Sequence, residues 1–370
     1  MKTDVLVVGA GPAGLLTSIF INKHDVLIIE EHNDVGIPKH CAGFVSKYFA
    51  EEIVSITGRD VLDNYYNSLV FHIHNRKYNI YFKEPFIYRI NRPLLEHRLA
   101  DIVYSKNHRI IFNTKGKPTS SLNKVLTKNC EIHCSKIIVA DGSNSIFRKH
   151  FFKKYKSRLI GIQYIYRSSS QDTNTIHLLF NNLTPDFFQW LAPIDRDSIL
   201  IGFASSNYFF TPDTIVKHIV KKTGVQIGSK VEVFGGIIPF DKPLKQPIIG
   251  DKLFFIGDSV PVIKPYTGGG LLNILLLSTA LGMSIDNNEP SLYLRIYELI
   301  RSRIIYEYIA VSFFKKIGYW IPPRTVYTLY RRNLLNPSDY DNHYRLLTRS
   351  LKIIPQLIIE ILLDKLWRND

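Results

Sequence analysis

Short runs of unbroken apolar residues, each followed by a glycine-bearing junction, recur along the first part of the chain. Val5-Leu-Val-Val8, Val26-Leu-Ile-Ile29, Ile137-Ile-Val-Ala140 and Leu253-Phe-Phe-Ile256 show no alternation of apolar and polar positions. Runs of this length and uniformity read as strands buried on both faces. The first leads through a glycine-rich turn into an apolar helix, and the last is followed by a glycine run and a second apolar helix, Leu271 to Gly282. Beyond residue 290 the period changes. Leu292, Ile296, Leu299, Ile300, Ile304 and Tyr308 recur at helical spacing, and the last eighty residues read as helices.

The turn after the first strand is Gly9-Ala-Gly11-Pro12-Ala13-Gly14. Between a strand and a helix this spacing suits a dinucleotide pyrophosphate. Gly9 permits the tight turn, Gly11 lets the backbone approach the phosphates, and Gly14 lets the helix pack on the sheet with its N-terminus facing the negative charge. The second strand ends in Glu30, sixteen residues past Gly14, where a carboxylate accepts hydrogen bonds from an adenosine ribose. These residues fit FAD and NAD(P) alike. Two later junctions repeat the logic: Asp141-Gly142-Ser-Asn-Ser145 before Arg148, and Gly257-Asp258 followed by Pro265-Tyr-Thr-Gly268-Gly269-Gly270. The glycine run offers free amide donors at a helix N-terminus, and Asp258 is placed to accept from sugar or ribityl hydroxyls.

Composition narrows the picture. With 370 residues, 45% of them hydrophobic, the chain buries a large core, expected as two domains and a helical appendix, and is not disordered. A formal charge of +15 suits anionic partners without choosing among phospholipid headgroups, pyrophosphates and nucleic acid. Three cysteines, Cys41, Cys130 and Cys134, argue against a disulfide scaffold and for a reducing compartment, the cytoplasm by default. Residues 5 to 21 follow Lys2 as a signal peptide does, but their three glycines and Pro12 fall where a nucleotide fingerprint needs them. Leu271 to Met283 is too short to span a bilayer. Cys130-x-x-His133-Cys134 lacks the paired spacing of a zinc site, so no metal is expected.

Taken together, the three glycine junctions resemble those of the FAD-dependent geranylgeranyl reductase family, a branch of the group that includes the aromatic-ring hydroxylases. The resemblance covers roughly residues 1 to 285 and implies FAD as cofactor. Two further segments carry it to this branch. Gly36-Ile-Pro-Lys-His-Cys41-Ala42-Gly43 is similar to the family's cysteine-bearing loop near the flavin ring. Pro185-x-Phe187-Phe188-x-Trp190-x-x-Pro193 resembles its substrate-pocket signature, with Phe187 and Phe188 straddling the usual tyrosine position and Ala192 standing where an aromatic is common. Arg92, which opens a helix with Pro93 in its first turn, matches an arginine that lies over FAD.

The resemblance implies a reductase that saturates isoprenoid carbon-carbon double bonds on a geranylgeranyl lipid or diphosphate, with NAD(P)H or ferredoxin as electron donor. It gives Cys41 as the residue nearest the reacting alkene, a proton donor or positioning group. Gly9, Gly11, Pro12, Ala13, Gly14, Glu30, Cys41, Ala42, Gly43, Arg92, Asp141, Gly142, Gly257, Asp258, Gly268, Gly269 and Gly270 are the expected FAD contacts. Phe187, Phe188, Trp190 and Pro193 are the expected substrate pocket, since a chain of methyls and isolated alkenes has to be recognised by an aromatic-lined apolar tunnel. Two departures stand out: Pro261 replaces a glycine beside the flavin, and Lys264 replaces a frequent asparagine. Lys264 pairs with a phosphate or reduced flavin, or is a solvated surface residue. The competing functions are an FAD-dependent monooxygenase of a hydrophobic substrate and a non-catalytic flavin-binding partner protein.

The motif order predicts an α/β fold: a Rossmann-like FAD-binding domain from residues 1–58, 86–158 and 249–290, an inserted antiparallel-sheet substrate domain from 59–85 and 159–248, and a C-terminal helical region, 291–370. The amphipathic segment 351–368, broken at Pro355, either lies on a membrane surface as a peripheral contact or docks on the protein core. No nucleic-acid partner is expected.

Overall fold

The computed structural model describes residues 1–169 and 172–353. The expected membrane segment falls mostly on 354–370, outside the described residues. The apolar runs form the centre of a seven-stranded sheet. Leu253–Phe255, Glu131–Val139, Lys2–Val8, Val26–Ile29 and Arg109–Ile111 lie side by side in that order and run parallel. Ile248–Ile249 and Lys124–Leu126 add antiparallel strands to Leu253–Phe255 and Glu131–Val139. Leu6, Val7, Leu27, Ile28, Ile138 and Val139 are inaccessible to solvent, as strands covered on both faces have to be.

The helix Pro12–Ile19 begins at the first glycine turn and crosses the helix Leu271–Asp286. Small residues set the distance. The Thr17 hydroxyl donates to Ala13 O at 2.6 Å and lies 3.1 Å from Ser278 Oγ, and a Cβ on Gly282 would stand 2.5 Å from Phe20 Cβ. A third helix, Arg92–Ser105, is capped by the Asn91 side chain, which accepts from Leu94 N at 3.2 Å.

The second sheet also has seven strands, in the order Lys230–Pro239, Arg158–Arg167, Ser198–Ser205, Gln189–Pro193, Thr175–Phe180, Ser68–Ile73 and Arg76–Tyr81. The expectation of a wholly antiparallel sheet needs one correction, because Thr175–Phe180 pairs parallel with Ser68–Ile73. These strands come from separate excursions of the chain, so their direction is not constrained by a tight hairpin. A small sheet of Phe44–Ser46, Ile87–Ile90 and Leu62–Tyr66 lies in the connection between the excursions. After residue 290 come the helices Pro290–Ile317, Ile321–Arg331 and His343–Ser350. Among the described residues, no helix is long and apolar enough to cross a membrane. The whole is the α/β architecture that the motif order predicts.

The Gly282 crossing is testable. Gly282→Val places branched carbons against the Phe20 backbone and overpacks the seam, at a cost of about 1–3 kcal/mol. A lowered urea midpoint with unchanged slope is the expected outcome.

Candidate active site

The parallel strands Lys2–Val8, Val26–Ile29, Glu131–Val139 and Leu253–Phe255 end at the same edge of the first sheet, and the glycine junctions follow them there, where open α/β sheets place ligands. A cavity of about 1220 Å³ opens at this edge and continues along the second sheet. It exceeds the roughly 300–1,000 Å³ of most small-molecule pockets. Gly9, Gly11, Pro12, Ala13 and Glu30 line it from the first junction, Asp141 and Gly142 from the second, and Asp258 with Gly268, Gly269 and Gly270 from the third. Cys41, Ala42 and Arg92 line it as well, as do Phe187, Phe188 and Trp190.

Four expected site residues do not line the cavity: Gly14, Gly43, Gly257 and Pro193. The three glycines lie behind it as spacers. A Cβ on Gly14 would stand 2.0 Å from Gly9 O, one on Gly43 2.3 Å from Ile90 O, and one on Gly257 2.8 Å from Ala13 Cβ. Pro193 is held away from the tunnel because its carbonyl accepts from Tyr66 Oη at 2.6 Å and Asn64 Nδ2 at 3.0 Å.

The geometry suits a dinucleotide. Nothing stands within 4 Å of a Cβ built on Gly11, the residue that caps the helix Pro12–Ile19, so the space before the helix N-terminus is open. Glu30 accepts from Ala10 N at 2.8 Å and His32 N at 2.9 Å, which fixes its carboxylate at the cavity wall. Asp141 accepts through Oδ2 from Ile146 N at 2.9 Å, while its buried Oδ1 has no protein partner. Burial pushes the Asp141 carboxyl up to about 6, against the opposing hydrogen bonds of Ser145, Phe147 and Ile146. Asp258 is likewise pushed up to about 6 by burial, opposed by the Arg92 and His40 charges. An unpartnered buried acceptor such as Asp141 Oδ1 fits a hydroxyl of a ribose or ribityl chain.

The cysteine loop bridges the two sheets. His40 Nδ1 lies 2.7 Å from Gly235 O, Gln163 Nε2 donates to His40 O at 2.9 Å, and Lys39 pairs with Glu232 at 2.9 Å. Gly43 N donates to Cys41 Sγ at 3.4 Å, and Cys41 is half-buried. Arg92 binds Glu96 Oε1 through Nη2 at 2.6 Å. Burial disfavours the Arg92 charge, but Glu96 and Cys41 outweigh it and raise its pKa further. Thiol, guanidinium and the Asp258 carboxyl therefore share one corner of the cavity.

The aromatic wall begins beside the third glycine junction. Phe187 Cζ lies 3.5 Å from the position of a Cβ on Gly268. Phe187 stacks on Phe188 at 4.3 Å, and Phe188 meets Trp190 edge-on at 5.9 Å. The Trp190 indole occupies the room left by Gly202 on the neighbouring strand, where a Cβ would fall 2.2 Å from the ring. Tyr266 extends the wall, with Tyr319 stacked on it at 5.1 Å and 6.2 Å from Phe187.

Lys264 is neither solvated nor left free for a phosphate. It is buried, donates to Tyr340 O at 3.1 Å and Asp341 Oδ1 at 3.2 Å, and lies over the Tyr340 ring at 4.6 Å. This tie brings the C-terminal region to the cavity, where Tyr306, Phe313, Tyr340, Tyr344 and Leu351 complete the lining. Sequence reasoning missed that contribution. It also missed the glycines of the strand Lys230–Pro239: a Cβ on Gly235 would stand 2.2 Å from Gly161 O, and one on Gly236 2.9 Å from His40 Nδ1. Paired glycines inside a strand are a signal of close backbone approach.

Known proteins agree with this geometry. A family model described as an FAD binding domain matches residues 2–40. An uncharacterized protein of Methanocaldococcus jannaschii is 26% identical over 289 residues, 72% of this chain and 71% of its own length. The digeranylgeranylglycerophospholipid reductase of Thermoplasma acidophilum is 23% identical, covering 81% of this chain and 83% of the relative. A digeranylgeranylglycerophospholipid reductase of Methanosphaera stadtmanae is 26% identical, covering 74% and 75%. Among solved structures, a geranylgeranyl bacteriochlorophyll reductase-like protein from Thermoplasma acidophilum shares the fold with a TM-score of 0.79 at 18% identity, over 97% of this chain and 98% of that one. The chain is an FAD-dependent oxidoreductase. Within that class, it is the geranylgeranyl reductases that it resembles.

Two outcomes test the cofactor site. Gly11→Leu fills the open space before the helix, and the purified variant is expected to lose its yellow colour and FAD while remaining folded. The pH dependence has a definite sign. In the protein alone, Asp141 and Asp258 bind protons more tightly than at their ordinary 3.8, so their linked stability is full below that value and lost as pH rises through about 6. Sugar hydroxyls donate to the ionised form, so FAD affinity should weaken as pH falls through about 6. Titration calorimetry across that range measures it.

Proposed function

We propose that the chain saturates isolated carbon-carbon double bonds of an isoprenoid, a geranylgeranyl lipid or diphosphate, with FAD as the redox cofactor. The observation that carries this reading is that the glycine run 268–270 of the dinucleotide cradle and the aromatic wall of Phe187, Phe188 and Trp190 line one continuous cavity. The names of the reductase relatives support the substrate class. The reductant is NAD(P)H or ferredoxin, and the three free cysteines fit a reducing cytoplasm.

Gly9, Gly11, Glu30, Asp141, Asp258 and the glycine run 268–270 would hold the dinucleotide. Bound there in its reduced form, the flavin would supply the hydride for one alkene carbon. An isolated alkene accepts hydride poorly, so the protein has to align it, exclude water and place a proton at the second carbon. Phe187, Phe188 and Trp190 provide the apolar alignment. Cys41 is the proton donor or positioning group, with Arg92 beside it held by Glu96. Pro261 is buried and does not line the cavity.

The reading is tested by incubating the reduced protein anaerobically with geranylgeranyl lipids and diphosphates and weighing the products by mass spectrometry. Products heavier by a pair of hydrogens per saturated bond are expected; unchanged substrate with a fully reduced, FAD-loaded protein contradicts it. Cys41→Ser should retain FAD and slow turnover at least about tenfold, in the range of general acid catalysis, or stop it earlier along the chain. Unchanged rate and product distribution would make Cys41 a packing residue.

A further inference from the structure

The long helix Pro290–Ile317 buries one face, with Tyr293, Tyr297, Ile300, Ile304 and Val311 against the core. Its opposite face is also apolar. Leu299, Tyr306, Ile309, Phe313 and Ile317 are each at least half exposed, and their spacing of three, four and seven residues sets them in one stripe. Solvated helix faces are polar, and a contiguous apolar patch marks a contact surface.

Two observations identify what covers it. First, the exposed residues interleaved with the stripe include Arg295, Arg303 and Lys316 against Glu298 alone among acids, and Glu298 is already paired with Arg301 at 2.8 Å. An apolar stripe edged with arginine, lysine and tyrosine matches the layered chemistry of a bilayer with anionic headgroups. Second, the stripe runs into the mouth of the cavity: Tyr306, Phe313 and Ile317 belong to both, and Tyr344, with its ring 5.9 Å from Tyr306, continues the lining on the helix His343–Ser350. A protein partner seated there would cap the opening, whereas a bilayer leaves it in contact with hydrocarbon. We infer that this face of the helix docks on an anionic lipid surface, and that lipid chains enter the cavity directly from the bilayer. The docking stands on the surface alone; the entry route rests on the isoprenoid reading above.

The test uses the full-length, FAD-loaded protein and flotation with vesicles of phosphatidylcholine alone or mixed with phosphatidylglycerol. Binding to the anionic vesicles is expected at low salt and should fall as ionic strength rises. The pair Leu299→Ser with Ile309→Ser, and the pair Arg303→Glu with Lys316→Glu, should each lower partitioning about tenfold or more, with FAD content and thermal midpoint unchanged. Wild-type binding by both pairs, or equal binding to neutral and anionic vesicles, overturns the inference. So does a dimer in sedimentation that Ile309→Ser dissolves, which assigns the face to a second copy. Protection of Tyr306 and Phe313 from hydroxyl-radical labelling in the lipid-free monomer assigns it instead to residues 354–370. Turnover of detergent-dispersed substrate separates the two readings: its absence in the wild type counts against the isoprenoid function, whereas lost vesicle binding with turnover intact counts only against the docking face.

Discussion

The structure depends on keeping one volume free of protein atoms: the space before the N-terminus of the helix Pro12–Ile19. Gly11 leaves that space open, and Gly14 lets the helix approach until a Cβ would overlap Gly9 O. The first-turn amides of a helix have no intrahelical partner, and here they face an apolar-walled cavity instead of bulk water. Such an arrangement favours a negatively charged ligand. The unpartnered Oδ1 of Asp141 on the same cavity suits a hydroxyl donor, so a ligand that carries both phosphates and sugars fits. A flavin dinucleotide answers both demands.

That cradle sets the position of the second sheet. Gly268 lies beside Phe187, and His40 on the cysteine loop meets Gly235 and Gly236, where a Cβ on either glycine would collide with Gly161 O or the His40 ring. The outcome is a shared boundary on which Cys41, Arg92 and Asp258 face an aromatic tunnel. The C-terminal helices close the other side, tied down by Lys264 on Tyr340 and Asp341 and by His343 on Glu307 at 3.1 Å. These are contacts between buried or half-buried groups, where a pair counts for more than at the surface.

Much of this was legible in the chain. The uniform apolar runs became the parallel strands, because a strand covered on both faces has no reason to alternate. Fourteen of the seventeen residues expected to contact FAD do line the cavity along with Phe187, Phe188 and Trp190, since local motifs carry their own turn geometry. What escaped depends on partners distant in sequence. The roles of Gly235, against Gly161 O, and of Gly236, against His40, exist only between distant segments, and Lys264 reads as a free cation until residues 340 and 341 are brought beside it. The parallel pairing of Thr175–Phe180 with Ser68–Ile73 joins segments about a hundred residues apart, a choice that periodicity cannot express.

The central claim is that one cavity couples the flavin to an isoprenoid alkene. Its most direct measurement is anaerobic stopped-flow absorbance of the reduced, FAD-loaded protein mixed with a geranylgeranyl substrate. The account predicts that flavin absorbance returns without oxygen, with one saturated bond formed for each flavin reoxidised. Flavin that stays reduced until oxygen is admitted, with an oxygenated product or none, would contradict it.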